Sequence, residues 1–161
     1  MNKLYILCGP SGSGKSTWAR NFMNDYVKSG KDIQYVSRDN IRLSIVKEEE
    51  DYFSHEKEVF KLFVYSIYDG LKNGWDTVAD ATHLNMFSRC KLIQALDMYT
   101  KEYEIVYVVF HTDVDTCLAR NANRSGRANV PETVIRNMCR DFRMPTKDED
   151  DRIIDIIEVS D

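Results

Sequence analysis

Gly9-Pro10-Ser11-Gly12-Ser13-Gly14-Lys15-Ser16-Thr17 is the stretch on which the reading of this 161-residue chain turns. It satisfies G-x-x-x-x-G-K-[ST], a phosphate-binding loop, with Gly9, Gly14, Lys15 and Ser16 at the fixed positions. Glycine lets backbone N–H groups close on a polyphosphate because no Cβ stands in the way. Gly9, Ser11, Gly12, Ser13, Gly14, Lys15, Ser16 and Thr17 are therefore the candidate nucleotide-binding residues. In such a loop the lysine reaches the β- and γ-phosphates and the serine hydroxyl sits on Mg²⁺. A chance match in a Gly/Ser turn is the alternative, but average residue usage makes it rarer than about one in a hundred chains of this length. The context weighs the same way. Lys3-Leu4-Tyr5-Ile6-Leu7-Cys8 is a short apolar run, and Trp18, Phe22 and Tyr26 then fall on one face of a helical pattern. Strand, glycine loop, helix is the arrangement that the motif requires. It predicts binding of ATP or GTP.

Outward from the loop, strand-like segments alternate with helical ones. Strands are expected at 3–8, 33–37, 76–80, 104–110 and 153–159. Between them, Phe60, Phe63, Val64, Ile67 and Leu71 recur at helical spacing, with Gly74 as a stop. Asn40–Val46, Met86–Lys101 and Val114–Ala122 also read as helices, and Pro131 opens another that reaches Phe142 before Pro145. Such alternation implies right-handed crossovers and a parallel sheet covered on both faces. The expected fold is α/β, a three-layer P-loop fold with five parallel strands, in one domain over 1–161. Ligands bind at the carboxyl ends of the strands in such folds.

Composition is consistent with this. The chain is 43% hydrophobic, has no apolar run approaching 18 residues and no signal-like N-terminus, so a soluble, cytoplasmic protein with no membrane partner is expected. Cys8, Cys90, Cys117 and Cys139 are far apart and read as reduced thiols, and His55, His83 and His111 have no metal-ligand spacing. The net charge of −4 argues against a nucleic-acid partner, but its distribution does not. Arg120, Arg124, Arg127, Arg136, Arg140 and Arg143 face only Glu132 and Asp141, so that segment is +4 and the remainder −8. Arginine without lysine suits phosphate geometry. A solvated helix face is the alternative for residues 136–143.

The strand ends carry the candidate chemistry. Asp39, one strand from the loop, can take the proton of an attacking hydroxyl. It can equally be a helix N-cap. Arg42, one turn on, can hold a phosphate of the acceptor. Asp80 ends a strand and can hold Mg²⁺ through water, or serve the turn. Arg124 and Arg127 lie in a polar, glycine-containing stretch with the composition of a lid over about 120–130, from which an arginine can neutralise transferring phosphate. Asp113-Val114-Asp115-Thr116 resembles an aspartyl-phosphatase signature, but Cys117 stands at its fifth position and only 44 residues follow. It reads instead as acids at a helix N-terminus.

Taken together, GPSGSGKSTWAR, SRDNIRLSI, ATHLN and RNANRSGRANVPETVIRNM resemble the kinase domain of the polynucleotide 5′-hydroxyl kinase family across nearly the whole chain. The resemblance implies Asp39 as general base, Arg42 on the acceptor-strand phosphate, Arg124 clamping the donor phosphates and Arg120 near the nucleotide. The family's D-x-T-N appears here as Asp80-Ala81-Thr82-His83, which makes Thr82 and His83 candidate substrate-binding residues with a histidine in place of the amide. No counterpart of the phosphatase domain joined to the phage member is expected. The implied function is transfer of the γ-phosphate of ATP, with Mg²⁺, to the 5′-hydroxyl of DNA or RNA. A small-molecule kinase for a nucleoside, sugar acid or antibiotic is the nearest rival, and a nucleotide-dependent switch is a more distant one. Nothing in the sequence specifies an oligomeric state.

Overall fold

Five parallel strands lie in the order β2-β3-β1-β4-β5. They are β1 (Asn2–Cys8), β2 (Ile33–Ser37), β3 (Asp76–Asp80), β4 (Tyr103–His111) and β5 (Ile153–Ser160). The helices between them are α1 (Lys15–Lys28), α2 (Arg38–Ile45), α3 (Glu56–Lys72), α4 (Met86–Asp97), α5 (Val114–Ala122) and α6 (Glu132–Asp141). The computed structural model describes residues 1–126 and 129–160, so Arg127 lies outside the described residues.

The central strand explains the arrangement. A strand covered on both faces reads as a continuous apolar run, and β1 divides its side chains between two cores. Leu4, Ile6 and Cys8 pack with Phe63, Val64 and Ile67 of α3 and Leu92, Ile93 and Leu96 of α4. Tyr5 and Leu7 face α1, where Trp18, Phe22 and Tyr26 form a ladder of rings. The Trp18 and Phe22 rings stack at 4.7 Å, and Phe22 and Tyr26 are 5.3 Å apart. No helix among the described residues is long and apolar enough to cross a membrane.

Several helix boundaries differ from expectation. α2 begins at Arg38 because Ser37 is its N-cap, the side chain accepting from the Asn40 N–H at 3.2 Å. The cap alternative for Asp39 is thereby corrected: Asp39 lies in the first turn. Pro131 is the N-cap of α6, not its first residue. α4 stops at Asp97, short of Lys101, and the Asp97 carboxylate there accepts from the Tyr103 hydroxyl at the start of β4 and from two nitrogens of Arg152. The Asp113 side chain accepts from the Thr116 N–H at 2.8 Å and caps α5, in agreement with the helix-terminus reading.

The buried ion pair beneath the site was not foreseen. Arg89 and Glu149 have side chains only 1% and 4% exposed, and Arg89 Nε and Nη2 donate to the two carboxylate oxygens at 2.9 and 3.0 Å. Arg89 Nη1 also donates to the carbonyls of His83 and Arg143. One guanidinium thus ties α4 to the segment after β3, the exit of α6 and the short 3-10 turn at Lys147–Glu149.

Candidate functional site

A cleft of about 1350 Å³ opens along the carboxyl ends of β1, β3 and β2 and includes the loop, Asp39, Arg42, Asp80, Thr82, His83, Arg120 and Arg124 among its walls. Register accounts for the convergence. β3 lies between β1 and β2, with Ile6 opposite Ala79 and Ser37 opposite Asp80. The loop after β1, the carboxylate ending β3 and the first turn of α2 therefore stand side by side.

The loop is shaped by its glycines at two points. Gly12 has φ 83°, and a Cβ there would come within 2.6 Å of the Cys117 carbonyl on α5. Gly14, at φ 96°, is the N-cap of α1 in a left-handed conformation that favours glycine. Gly9 is fixed by its N–H, which donates to the Thr82 carbonyl at 2.9 Å. The Ser13 hydroxyl is buried with no partner among the described residues. Lys15 is buried, its Nζ donating to the carbonyls of Gly9 and Pro10 at 2.9 and 2.8 Å. Burial lowers its pKa, opposed by the nearby charges of Asp80 and Asp39.

Asp80 receives two hydroxyls. Ser16 Oγ donates to Oδ2 at 3.0 Å, and the Tyr35 hydroxyl donates to the same oxygen. Tyr35 was not singled out in the sequence; it lies on β2, two residues before Ser37. Burial, followed by the charge of Asp80, pushes its phenol up to about 12.

Asp39 and Arg42 form a bonded pair at the start of α2. The Asp39 side chain is 66% exposed and accepts from Arg42 Nη1 at 2.5 Å. Arg42 is buried, and its Nε and Nη2 each donate to a different oxygen of Glu56 at 2.8 Å. Tyr52 and Phe53 lie against the guanidinium, 5.1 Å from each ring centre. Burial opposes the Arg42 charge, but the bonds to Glu56 and Tyr52 and the charges of Glu56 and Asp39 together outweigh it and raise the pKa. In Glu56, burial works against the charge, and the bond and charge of Arg42 prevail, so its carboxyl titrates below the usual range. Glu56 had no sequence signal beyond being an acid in the first turn of α3. Arg38 joins the group more loosely: Nη2 is 3.4 Å from Glu56, and Nε is buried without a partner among the described residues.

Thr82 and His83 follow β3. Thr82 contributes its carbonyl to the loop, as described. His83 has φ 41°, a left-handed conformation that histidine adopts more readily than most residues. Its Nδ1 lies 2.7 Å from the Leu7 carbonyl. A carbonyl can only accept, so Nδ1 carries the proton and Nε2 is an acceptor in the neutral ring. Burial lowers its pKa to about 4.

The arginine-rich segment divides in two. Arg120 Nη1 donates to the Gly12 carbonyl at 3.1 Å and, with Arg124, lines the cleft. Arg136 pairs with Glu132, and Arg140 with Asp141, on the exposed face of α6, as the solvated-face alternative expected. Asn121, not foreseen, ties the end of α5 to Val130. Its side chain donates to the Val130 carbonyl at 2.7 Å and accepts from the Val130 N–H at 3.0 Å.

Sheet order, glycine loop, strand-end carboxylates and an arginine-bearing lid define a P-loop domain of the kinase fold. A family model described as an AAA domain matches residues 4–145, and the chain belongs to that family of P-loop domains. It is 27% identical over 152 residues to a protein of Autographa californica nuclear polyhedrosis virus named "Putative bifunctional polynucleotide kinase/RNA ligase", covering 82% of this chain and 20% of that one. Among solved structures, a chain of the Pnkp1/Rnl/Hen1 RNA repair complex superposes with TM-score 0.71 at 26% identity, over 87% of this chain and 43% of that one. Chaetomium thermophilum Kti12 in complex with ADP-AlF3 also superposes with TM-score 0.71, at 14% identity, over 98% and 88% of the two chains, which is a likeness of fold. The chain thus spans about a fifth of the viral relative. The resemblance to polynucleotide kinases read from the motifs holds in these comparisons.

Proposed function

We propose that this chain transfers the γ-phosphate of ATP to the 5′-hydroxyl of a DNA or RNA end. The observation that carries the proposal is the exposed Asp39 carboxylate, held by the Arg42–Glu56 pair in the same cleft as the phosphate-binding loop. An aspartate in that position accepts the proton of an entering hydroxyl as its oxygen attacks in line. Lys15 exchanges its two loop carbonyls for phosphate oxygens, and Arg124 adds a second positive charge from the lid side. The glycine cradle and the adjacent Ser16 hydroxyl and Asp80 carboxylate fit a nucleotide with Mg²⁺, the serine as a direct ligand and the aspartate through water. When bound, the ion neutralises charge on the β- and γ-phosphates. The viral relative named for polynucleotide kinase and the chain of the RNA repair complex support a nucleic-acid acceptor.

A second reading, a small-molecule kinase, is favoured by one feature. Arg42 already serves two carboxylates, so less of its charge remains for an acceptor phosphate. The test offers labelled ATP and Mg²⁺ to a 5′-OH oligonucleotide, a nucleoside and a 3′-nucleoside monophosphate. Labelling of the oligonucleotide and the monophosphate but not the nucleoside supports the polynucleotide reading. Labelling of the nucleoside alone replaces it with the second.

A further inference from the structure

The exposed side of α4 borders the cleft and brings an aromatic ring and a cation to it. α4 buries Arg89, Leu92, Ile93 and Leu96, which leaves Phe87 and Lys91 on the outer side. Phe87 is 77% exposed, yet it and Lys91 both line the cleft that holds Asp39. They are four residues apart, which makes them neighbours on a helix surface. The Phe60 ring links them to the acceptor end. Lys91 Nζ lies 4.8 Å from its centre, and the Arg38 guanidinium, beside Asp39 in sequence, lies 5.4 Å from it. Two cations and two aromatic rings therefore lead from the first turn of α2 to the first turn of α4, in a chain whose net charge is −4.

We propose that Phe87 and Lys91 form a subsite for the second nucleotide of a single-stranded acceptor, Phe87 stacking its base and Lys91 holding an adjoining backbone phosphate. The proposal rests on the nucleic-acid acceptor argued above and extends it by one nucleotide. A lone exposed phenylalanine is ordinary on a protein surface. An exposed ring one helical turn from a cation, in the cleft that holds the proposed acceptor aspartate, suits a single strand, because every base offers a π-face and every linkage a negative charge. Lys91 reaches over the Phe60 ring, and Phe87 stands outside the inward stripe of α4, which is complete without it.

The test compares wild type, Phe87→Ala, Phe87→Trp and Lys91→Gln on a 5′-OH octanucleotide and on a 3′-nucleoside monophosphate, with 2-aminopurine at the second position of the octanucleotide as a direct stacking probe. Loss of one stacked base is expected to raise the KM for the octanucleotide about five- to hundredfold in Phe87→Ala. The KM for the monophosphate stays unchanged, and Phe87→Trp keeps octanucleotide binding. Wild type quenches the 2-aminopurine and Phe87→Ala does not. Lys91→Gln lowers the slope of log affinity against log salt by about 0.7. Equal effects of Phe87→Ala on both acceptors, or none on either, overturn the subsite while leaving the proposed function standing. A wild type that neither binds nor phosphorylates the octanucleotide overturns the acceptor reading itself.

Discussion

Arg42 and Glu56 meet fork to fork, Nε and Nη2 each 2.8 Å from a separate carboxylate oxygen. The pair joins α2 to α3 and leaves the third nitrogen, Nη1, aimed at Asp39. The proposed base is thus oriented by an arginine that is itself oriented by a second carboxylate. Glu56→Gln keeps the shape but weakens one arm of the fork. A charge-assisted hydrogen bond is worth about 1.5 to 3 kcal/mol, so kcat for phosphoryl transfer is expected to fall roughly ten- to hundredfold with ATP KM little changed. Arg42→Lys should behave similarly, because an ammonium cannot reproduce the bidentate geometry. Steady-state kinetics of the two variants check this, and wild-type kcat in both would remove Glu56 and the fork from the mechanism.

Asp39 and Ser37 separate chemistry from stability two residues apart. Asp39→Asn should lower kcat by about 10² to 10⁴, the usual contribution of general-base catalysis, without a change in Tm, since the helix cap is Ser37. Ser37→Ala should do the reverse, costing about 1 kcal/mol of stability with a mild kinetic effect. Thermal melts and kcat measured side by side distinguish the two. A destabilised Asp39→Asn with near-normal turnover would return Asp39 to a structural role.

What could be read from the sequence follows from how local its cause is. The strands at 33–37 and 76–80 and helix 114–122 have the expected limits, because turn residues and apolar runs bound them. The glycine loop was legible because its chemistry fixes residue types at fixed spacing. Glu56, Tyr35 and Asn121 were not, since each acts on a partner that only the fold brings to it: Glu56 on Arg42, 14 residues away, Tyr35 on Asp80, 45 residues away, and Asn121 on Val130 across a loop. The Arg89–Glu149 pair spans 60 residues and looks from the sequence like two surface charges.

That buried pair is expected to dominate stability. Removing one partner of a buried ion pair leaves a charge without compensation and typically costs about 3 to 5 kcal/mol. Arg89→Met should therefore destabilise on that scale, more than any single surface substitution. The double variant Arg89→Met, Glu149→Leu should recover a substantial part, because two apolar side chains replace two desolvated charges. Urea denaturation of the single and double variants measures the coupling. A double variant no more stable than the single would assign the cost to the lost bonds with the His83 and Arg143 carbonyls.

His83 gives the fold a defined pH response. Burial lowers its pKa from 6.5 to about 4, aided by the positive charges of Arg38, Lys15 and Arg89 and opposed by the bond with the Leu7 carbonyl. The folded chain holds this ring neutral, whereas the unfolded chain protonates it near 6.5. Between those two values the unfolded state binds the extra proton, so stability falls as pH falls from 6.5 towards 4 and is independent of this residue above 6.5. A shift of this size corresponds to on the order of 3 kcal/mol across the window, at 1.36 kcal/mol per pH unit. His83→Asn is the informative variant: asparagine tolerates the left-handed backbone and does not titrate. The difference between wild type and His83→Asn, taken from chemical denaturation at half-unit steps of pH, cancels the carboxylates that titrate in both. It should have a slope of about one proton between pH 4 and 6.5 and be flat above. A difference that does not change with pH would mean that the ring titrates alike in both states, so burial would not be holding it neutral between pH 4 and 6.5.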